Sequence, residues 1–353
     1  MHFAEKFFFI LLRAMIVRGI FVKKMAMDFR TKVDAKADFT IGYSDKIMMM
    51  GSCFAENIGL KMRQSRLNVV VNPFGILFNP ESIAMALEQA LAGTAVSEAD
   101  VFQHNGLWSG LGFHGSFSSP DKAEALRRMN DGLNLAHQQI NGLTRLILTF
   151  GTAYVYRNVA DGRVVANCHK LPAANFMREM LTIEQIVERY STLIEQLTAA
   201  NPDLQIVLTV SPVRHLRDGA HQNQLSKATL LLAANQIVER FGNVHYFPSY
   251  ELLLDDLRDY RFYDTDMCHP SAVAVDYIWQ AMRNNCFNPT DNALIDEVAK
   301  IMATINHRPL NPNTDEYRQF VANQLDAVTR FARLHPQIDL SSEIEHWKKQ
   351  GLL

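Results

Sequence analysis

Five short apolar runs punctuate the chain, at residues 47–50, 67–71, 146–150, 204–210 and 244–247, and segments of helical period separate them. Each run is too short for a helix and lacks polar alternation, the pattern of a strand covered on both faces. Strands of that kind joined by amphipathic helices specify an α/β fold with a mainly parallel sheet. The spacing predicts helices over about 55–64, 80–91, 120–140, 183–200 and 225–241, and another that runs to about 283. Pro80 suits a first helical position, and Ile83, Leu87 and Leu91 then share a face. Ala125, Met129, Leu133 and Ala136 form the stripe of the next helix. Thr182, followed by Glu184 and Gln185, reads as a helix cap. Asp161-Gly162 between extended segments predicts a small β-hairpin over 153–166.

Beyond Pro289 only helical patterns remain, broken at Pro309-Leu310-Asn311-Pro312 and His335-Pro336. We therefore expect an α/β domain over 28–288 and a helical C-terminal appendage over 289–353. Residues 94–119 show no sustained periodicity and read as a lid-like insertion rich in aromatic and histidine side chains. Residues 1–27 read as an apolar or disordered extension. Its apolar stretch, 7–22, is interrupted by Arg13 and Arg18 and is too short to span a bilayer of about 20 apolar residues. A cytoplasmic location is expected if that extension is spurious, and a membrane-associated or exported one otherwise.

The formal net charge of -2 gives no broad basic surface, so nucleic acid is not an expected partner. Cys53, Cys168, Cys268 and Cys286 form no CxxC pair, which argues against a structural zinc site or a disulfide framework. No metal site is expected.

In a parallel sheet the carboxyl ends of the strands share one edge, where such folds bind ligands. Ser52 and Cys53 follow the first run, Gly151 the third, and Arg214 and His215 lie just beyond the fourth. Asp266-Met267-Cys268-His269 follows the fifth. His269 suits a general base, and Asp266, three residues earlier, suits the group that orients it. His114 lies in the insertion. Asn167 and His169 stand at the foot of the hairpin.

Gly51-Ser52-Cys53-Phe54-Ala55 is the signature of the GSCFA family, which this chain resembles. Asn72-Pro73-Phe74-Gly75, Phe150-Gly151-Thr152-Ala153, Asn167-Cys168-His169-Lys170 and Ser211-Pro212-Val213-Arg214-His215 also match its motifs. The family is similar to the SGNH (GDSL-like) hydrolases, which implies a doubly wound, flavodoxin-like sheet of five strands. It also implies hydrolysis of an acyl ester, such as an O-acetyl group on a glycan, through an acyl-enzyme and with no cofactor. By register Gly51-Ser52-Cys53 lies over Gly-Asp-Ser, which makes Cys53 the nucleophile; the serine-hydrolase chemistry of the class points instead to Ser52, and both stay open. The asparagine that SGNH enzymes use at the oxyanion is absent from the Gly151 block. Gly151 and Asn167 are then the expected oxyanion donors. His169, Arg214, His215 and His114 are the expected substrate contacts. A non-catalytic glycan- or peptide-binding module on the same fold, or a thiol-dependent acyltransferase, is the alternative.

Overall fold

A computed structural model describes residues 30–305 and 314–351. The expectations for residues 1–27 and for the break at 309–312 lie outside the described residues. Among the described residues no helix is long and apolar enough to cross a membrane.

Five parallel strands form the central sheet: β1 (Ile47–Gly51), β2 (Val69–Val71), β5 (Arg145–Phe150), β9 (Gln205–Val210) and β10 (Val244–Tyr246). Their spatial order is β2-β1-β5-β9-β10. Taken as the first to fifth strands of the sheet, this is the doubly wound 2-1-3-4-5 order. The side-chain period of two feeds two separate cores. Met48, Met50, Leu146, Leu148, Ile206 and Leu208 enter one, whereas Met49, Ile147 and Val207 enter the other.

The first core is closed by α2 (Pro80–Ala92), α3 (Lys122–Ile140), α4 (Ile183–Ala200) and α5 (Ala220–Arg240), through residues such as Leu87, Leu133, Leu193 and Leu230. The second is closed by α1 (Cys53–Gln64) and α6 (Ala272–Cys286), with α7 (Pro289–Ile305), α8 (Asp315–Leu334) and α9 (Ser341–Gln350) packed outside them. Local signals explain most boundaries. Asn79 caps α2 with Pro80 in its first turn, and Thr182 and Gln185 form a capping box on α4. The expected stripe of α3 is fully buried.

Three features depart from the sequence reading. The run at 67–71 is shorter as a strand and lies at the sheet edge, with Val69, Val70 and Val71 only half-buried. Branched apolar residues suit a pleated surface and do not distinguish an edge from a centre. The 94–119 segment holds an antiparallel hairpin, β3 (Val101–His104) and β4 (Leu107–Gly110), turned at Asn105-Gly106 with both residues at positive φ. The expected hairpin, β6 (Tyr154–Asn158) with β7 (Val164–Val165), gains a third strand, β8 (Phe176–Met180), on the other side of β6. This ribbon stands beyond the carboxyl end of β5.

Candidate functional site

The order of the sheet reverses between β1 and β5, so the exits of these two strands flank its switch point. Gly51 ends β1 at φ +141°, and a Cβ there would stand 2.2 Å from the carbonyl oxygen of Thr149. Only glycine lets the chain leave the strand so close to its neighbour. The Gly51 N–H donates to Asn72 Oδ1 (2.9 Å), and its carbonyl accepts from Leu77 N–H (3.0 Å). Phe78 then accepts from the N–H groups of both Gly151 (2.8 Å) and Thr152 (2.9 Å). The Asn72-Pro73-Phe74-Gly75 turn and the residues after it thereby bridge the two exits.

Ser52 is fully buried and caps α1, its Oγ accepting from Phe54 N–H at 3.3 Å. Cys53, the first residue of the helix, is half-buried. Burial pushes its thiol above the usual range and Glu56 adds to this, whereas the amides of Phe54 and Cys53 and the charge of Lys227 oppose it.

His269 and Asp266 form a compact unit. Nδ1 of His269 lies 2.5 Å from Asp266 Oδ2, and Asp266 Oδ1 accepts from the N–H groups of Cys268 (2.8 Å) and His269 (2.9 Å). The backbone donor of His269, its ring and the Cys268 amide hold the carboxyl down to about 2. An ionised carboxylate can only accept, so Nδ1 is the donor of this bond; in the tautomer that donates from Nδ1, Nε2 is the acceptor. Nε2 makes no hydrogen bond to Ser52 or Cys53 among the described residues.

Arg214 holds this loop from the β9 side. Its N–H donates to Cys268 O (3.0 Å), its Nε donates to Tyr263 OH (3.3 Å), and its guanidinium stands 5.6 Å over the Tyr263 ring. Arg214, an expected substrate contact, thus also engages the 263–270 loop. His215 turns the other way, edge-on to Phe78 with ring centroids 5.8 Å apart. A Cβ built on Gly151 would meet His215 Nε2 at 3.3 Å and Ser52 Cβ at 3.4 Å, so all three converge on one nook. Nε2 of His215 is buried without a hydrogen-bond partner. Burial above all, with Lys227, His269 and Arg178 nearby, depresses this ring to about 3 and keeps it neutral.

The remaining expected residues separate. The N–H of Gly151 is already committed to Phe78. Asn167 Oδ1 accepts from His169 N–H (2.8 Å), and the residue lines a cleft beneath the ribbon. Nε2 of His169 donates to the carbonyl of Gly110 (2.9 Å), and burial lowers the pKa of that ring. His114 caps a short turn at 115–117, its Nδ1 accepting from Ser116 N–H. These two histidines fasten the β3–β4 hairpin and its surroundings, and neither walls the cleft.

Lys227 escaped the sequence reading. It is fully buried on α5 and donates from Nζ to the carbonyls of Gly151 and Ser211, both at 2.6 Å. It thus straps the exits of β5 and β9 together from behind. Burial, the largest influence, pulls its pKa down to about 7. The signal lay in spacing: Lys227 falls on the apolar stripe with Leu230, Ala234 and Ile237, where a lysine needs internal acceptors.

A cleft of about 490 Å³ opens from the His215 nook beneath the ribbon, walled by Phe78, Thr152, Tyr154, Tyr156, Asn167 and Arg178 among others. A larger hollow of about 640 Å³ lies between α2, α4 and the β6–β7 turn. Its arginines are spent on acids: Arg189 on Glu81 and Glu88, Arg157 on Glu179. It contains none of the polar groups at the strand exits.

A doubly wound parallel sheet, with polar side chains gathered past the strands that flank its switch point, defines the class. Within that class the chain belongs to the GSCFA family, which matches residues 46–282; residues 298–351 match the C-terminal domain of GSCFA domain proteins. No curated protein matches the chain. Among solved structures it is similar to an acetyl xylan esterase (Est2A) from the rumen bacterium Butyrivibrio proteoclasticus. That likeness has a TM-score of 0.33 at 12% identity and covers 69% of this chain and 65% of that one, under two thirds of its length. It is also similar to a carbohydrate esterase family 3 protein from Talaromyces cellulolyticus, with a TM-score of 0.33 at 10% identity, over 72% of this chain and 99% of that one.

Proposed function

We propose that this protein hydrolyses an acyl ester of a small molecule or glycan, with Cys53 as nucleophile and His269, oriented by Asp266, as general base. The observation that carries this reading is the Asp266–His269 unit, a carboxylate held ionised against Nδ1 so that Nε2 is left to take a proton. A raised thiol pKa makes the base necessary, because little thiolate forms unaided at neutral pH. Cys53 is favoured over Ser52 because it is half-buried, whereas the Ser52 hydroxyl is sealed and spent on capping α1.

In the proposed reaction Cys53 Sγ bonds to the ester carbonyl carbon while its proton passes to His269 Nε2. The oxyanion faces the N–H of Cys53, at the electropositive end of α1. Collapse breaks the bond to the alcohol, which leaves with the proton from His269. Water then attacks the thioester with His269 again as base, releasing the acid and restoring the thiol. In the scheme, loop 263–270 closes onto Cys53 when substrate binds; catalytic hydrogen bonds often tighten only in the complex.

The committed N–H of Gly151 favours a second reading, a binding module on the same fold. One experiment separates the two. Wild type, Cys53→Ala and Ser52→Ala are incubated with p-nitrophenyl acetate and examined by intact mass. An acetyl adduct of wild type and Ser52→Ala, absent from Cys53→Ala, is expected. An adduct that survives in Cys53→Ala and vanishes in Ser52→Ala moves the nucleophile to Ser52. No adduct and no turnover favours the binder.

A further inference from the structure

The cleft beneath the ribbon has a chemistry of its own. Its wall carries Lys170, Arg178 and Arg217 against a single acid, Asp218, in a protein whose formal net charge is -2. Arg178 and Asp218 neutralise each other in a two-pronged ion pair. The Arg178 guanidinium also stacks 3.9 Å from the Tyr154 ring and 5.4 Å from that of Tyr156, which fixes it as wall. Arg217 is exposed, 5.6 Å over the same Tyr156 ring, and makes no ion pair among the described residues; nor does Lys170. Two uncommitted cations therefore stand at the mouth of the cleft.

Inside, Phe78, Tyr154, Tyr156 and Phe176 supply apolar surface. The volume falls within the range of about 300–1,000 Å³ usual for small-molecule sites. His215 lines the cleft and packs beside Gly151 and Ser52, so the cleft adjoins the exits of β1 and β5.

We infer that this cleft binds the sugar of an anionic glycan ester, with the aromatic rings packing on the sugar and Arg217 and Lys170 facing its negative group. The inference rests on the ester-hydrolase reading for the word ester alone; the preference for an anionic sugar stands on the cleft itself. A carboxylate and a phosphate share the required chemistry, and the test distinguishes them.

Binding of glucuronate, glucose 6-phosphate and glucose is measured at low salt by ligand-detected NMR. The proteins are wild type, Arg217→Gln and Lys170→Gln. At least one anion binds wild type 10-fold or more tightly than glucose, and the tighter of the two identifies the charged group. Arg217→Gln cuts that preference at least 5-fold, or Lys170→Gln does so if the Arg217 variant fails to fold. Glucose equal to both anions, no binding of any sugar, or a preference that both variants retain overturns the inference. An anion preference in a protein that forms no acyl adduct leaves the cleft assigned and removes the hydrolase reading. An adduct without the preference does the reverse.

Discussion

Ser52 and Cys53 are neighbours whose surroundings set them apart: a sealed hydroxyl engaged with the backbone, and a half-open thiol at the first helical position. Sequence alone left both in play, because a one-residue shift at a strand-to-helix turn changes which side chain faces the crevice. His269 and Asp266 were legible from their spacing, since a short Asp-x-x-His loop brings ring and carboxylate together. The neutral state of His215 was not, because burial is a property of the fold. It carries a pH prediction. The ring titrates near 3 in the folded protein against about 6.5 in the unfolded chain. Between those values the unfolded chain binds a proton that the folded one lacks, so stability is full above about pH 6.5 and falls as pH drops toward 3. His215→Gln removes this contribution. Denaturant titrations at pH 7 and pH 4.5 are expected to show wild type losing about 2 kcal/mol more than the variant across that interval. Equal losses exclude a neutral, buried His215.

Among the elements, long periodic helices and runs flanked by turn residues were readable because burial imposes their period. The β3–β4 hairpin was missed although Asn105-Gly106 announces such a turn, since its short strands are too mixed to alternate. β8 was missed because Phe176-Met177-Arg178-Glu179-Met180 pairs with β6 across a long loop, and nothing local specifies such a contact. α3 shows propensity and packing opposed. Gly132 lies within the helix, where alanine would gain about 1 kcal/mol by propensity. A Cβ there would stand 2.2 Å from the carbonyl oxygen of Pro73, which a backbone atom cannot yield cheaply. Gly132→Ala is therefore expected to destabilise by about 2 kcal/mol or more, read as a lowered denaturation midpoint. A stabilised variant shows that the 72–75 turn moves aside freely.

For the whole molecule, the parallel sheet followed from the five runs, and its doubly wound form from the family resemblance. What no local signal carries is how the last helices seat on the second core. Glu343 on α9 is buried and paired with Arg66, which follows α1, and Trp347 packs edge-on to Phe320 of α8. Arg66 is 29% exposed, so losing its partner leaves a cation that still reaches water. Glu343→Ala is expected to cost about 1–3 kcal/mol, at or below the range for breaking buried pairs. Hydrogen exchange checks this: protection is lost first in α8 and α9 while the central sheet keeps its own. Uniform loss across the sheet shows that the C-terminal helices and the sheet open as one unit.

Lys227 gives the crevice an unusual division of labour. One ammonium group, reaching in from a helix behind the sheet, ties two strand exits beneath the loops that follow them. The turns around the opening are thus relieved of keeping the floor flat. They are free to differ in length and side chains, and so in what they admit, while the platform beneath stays the same.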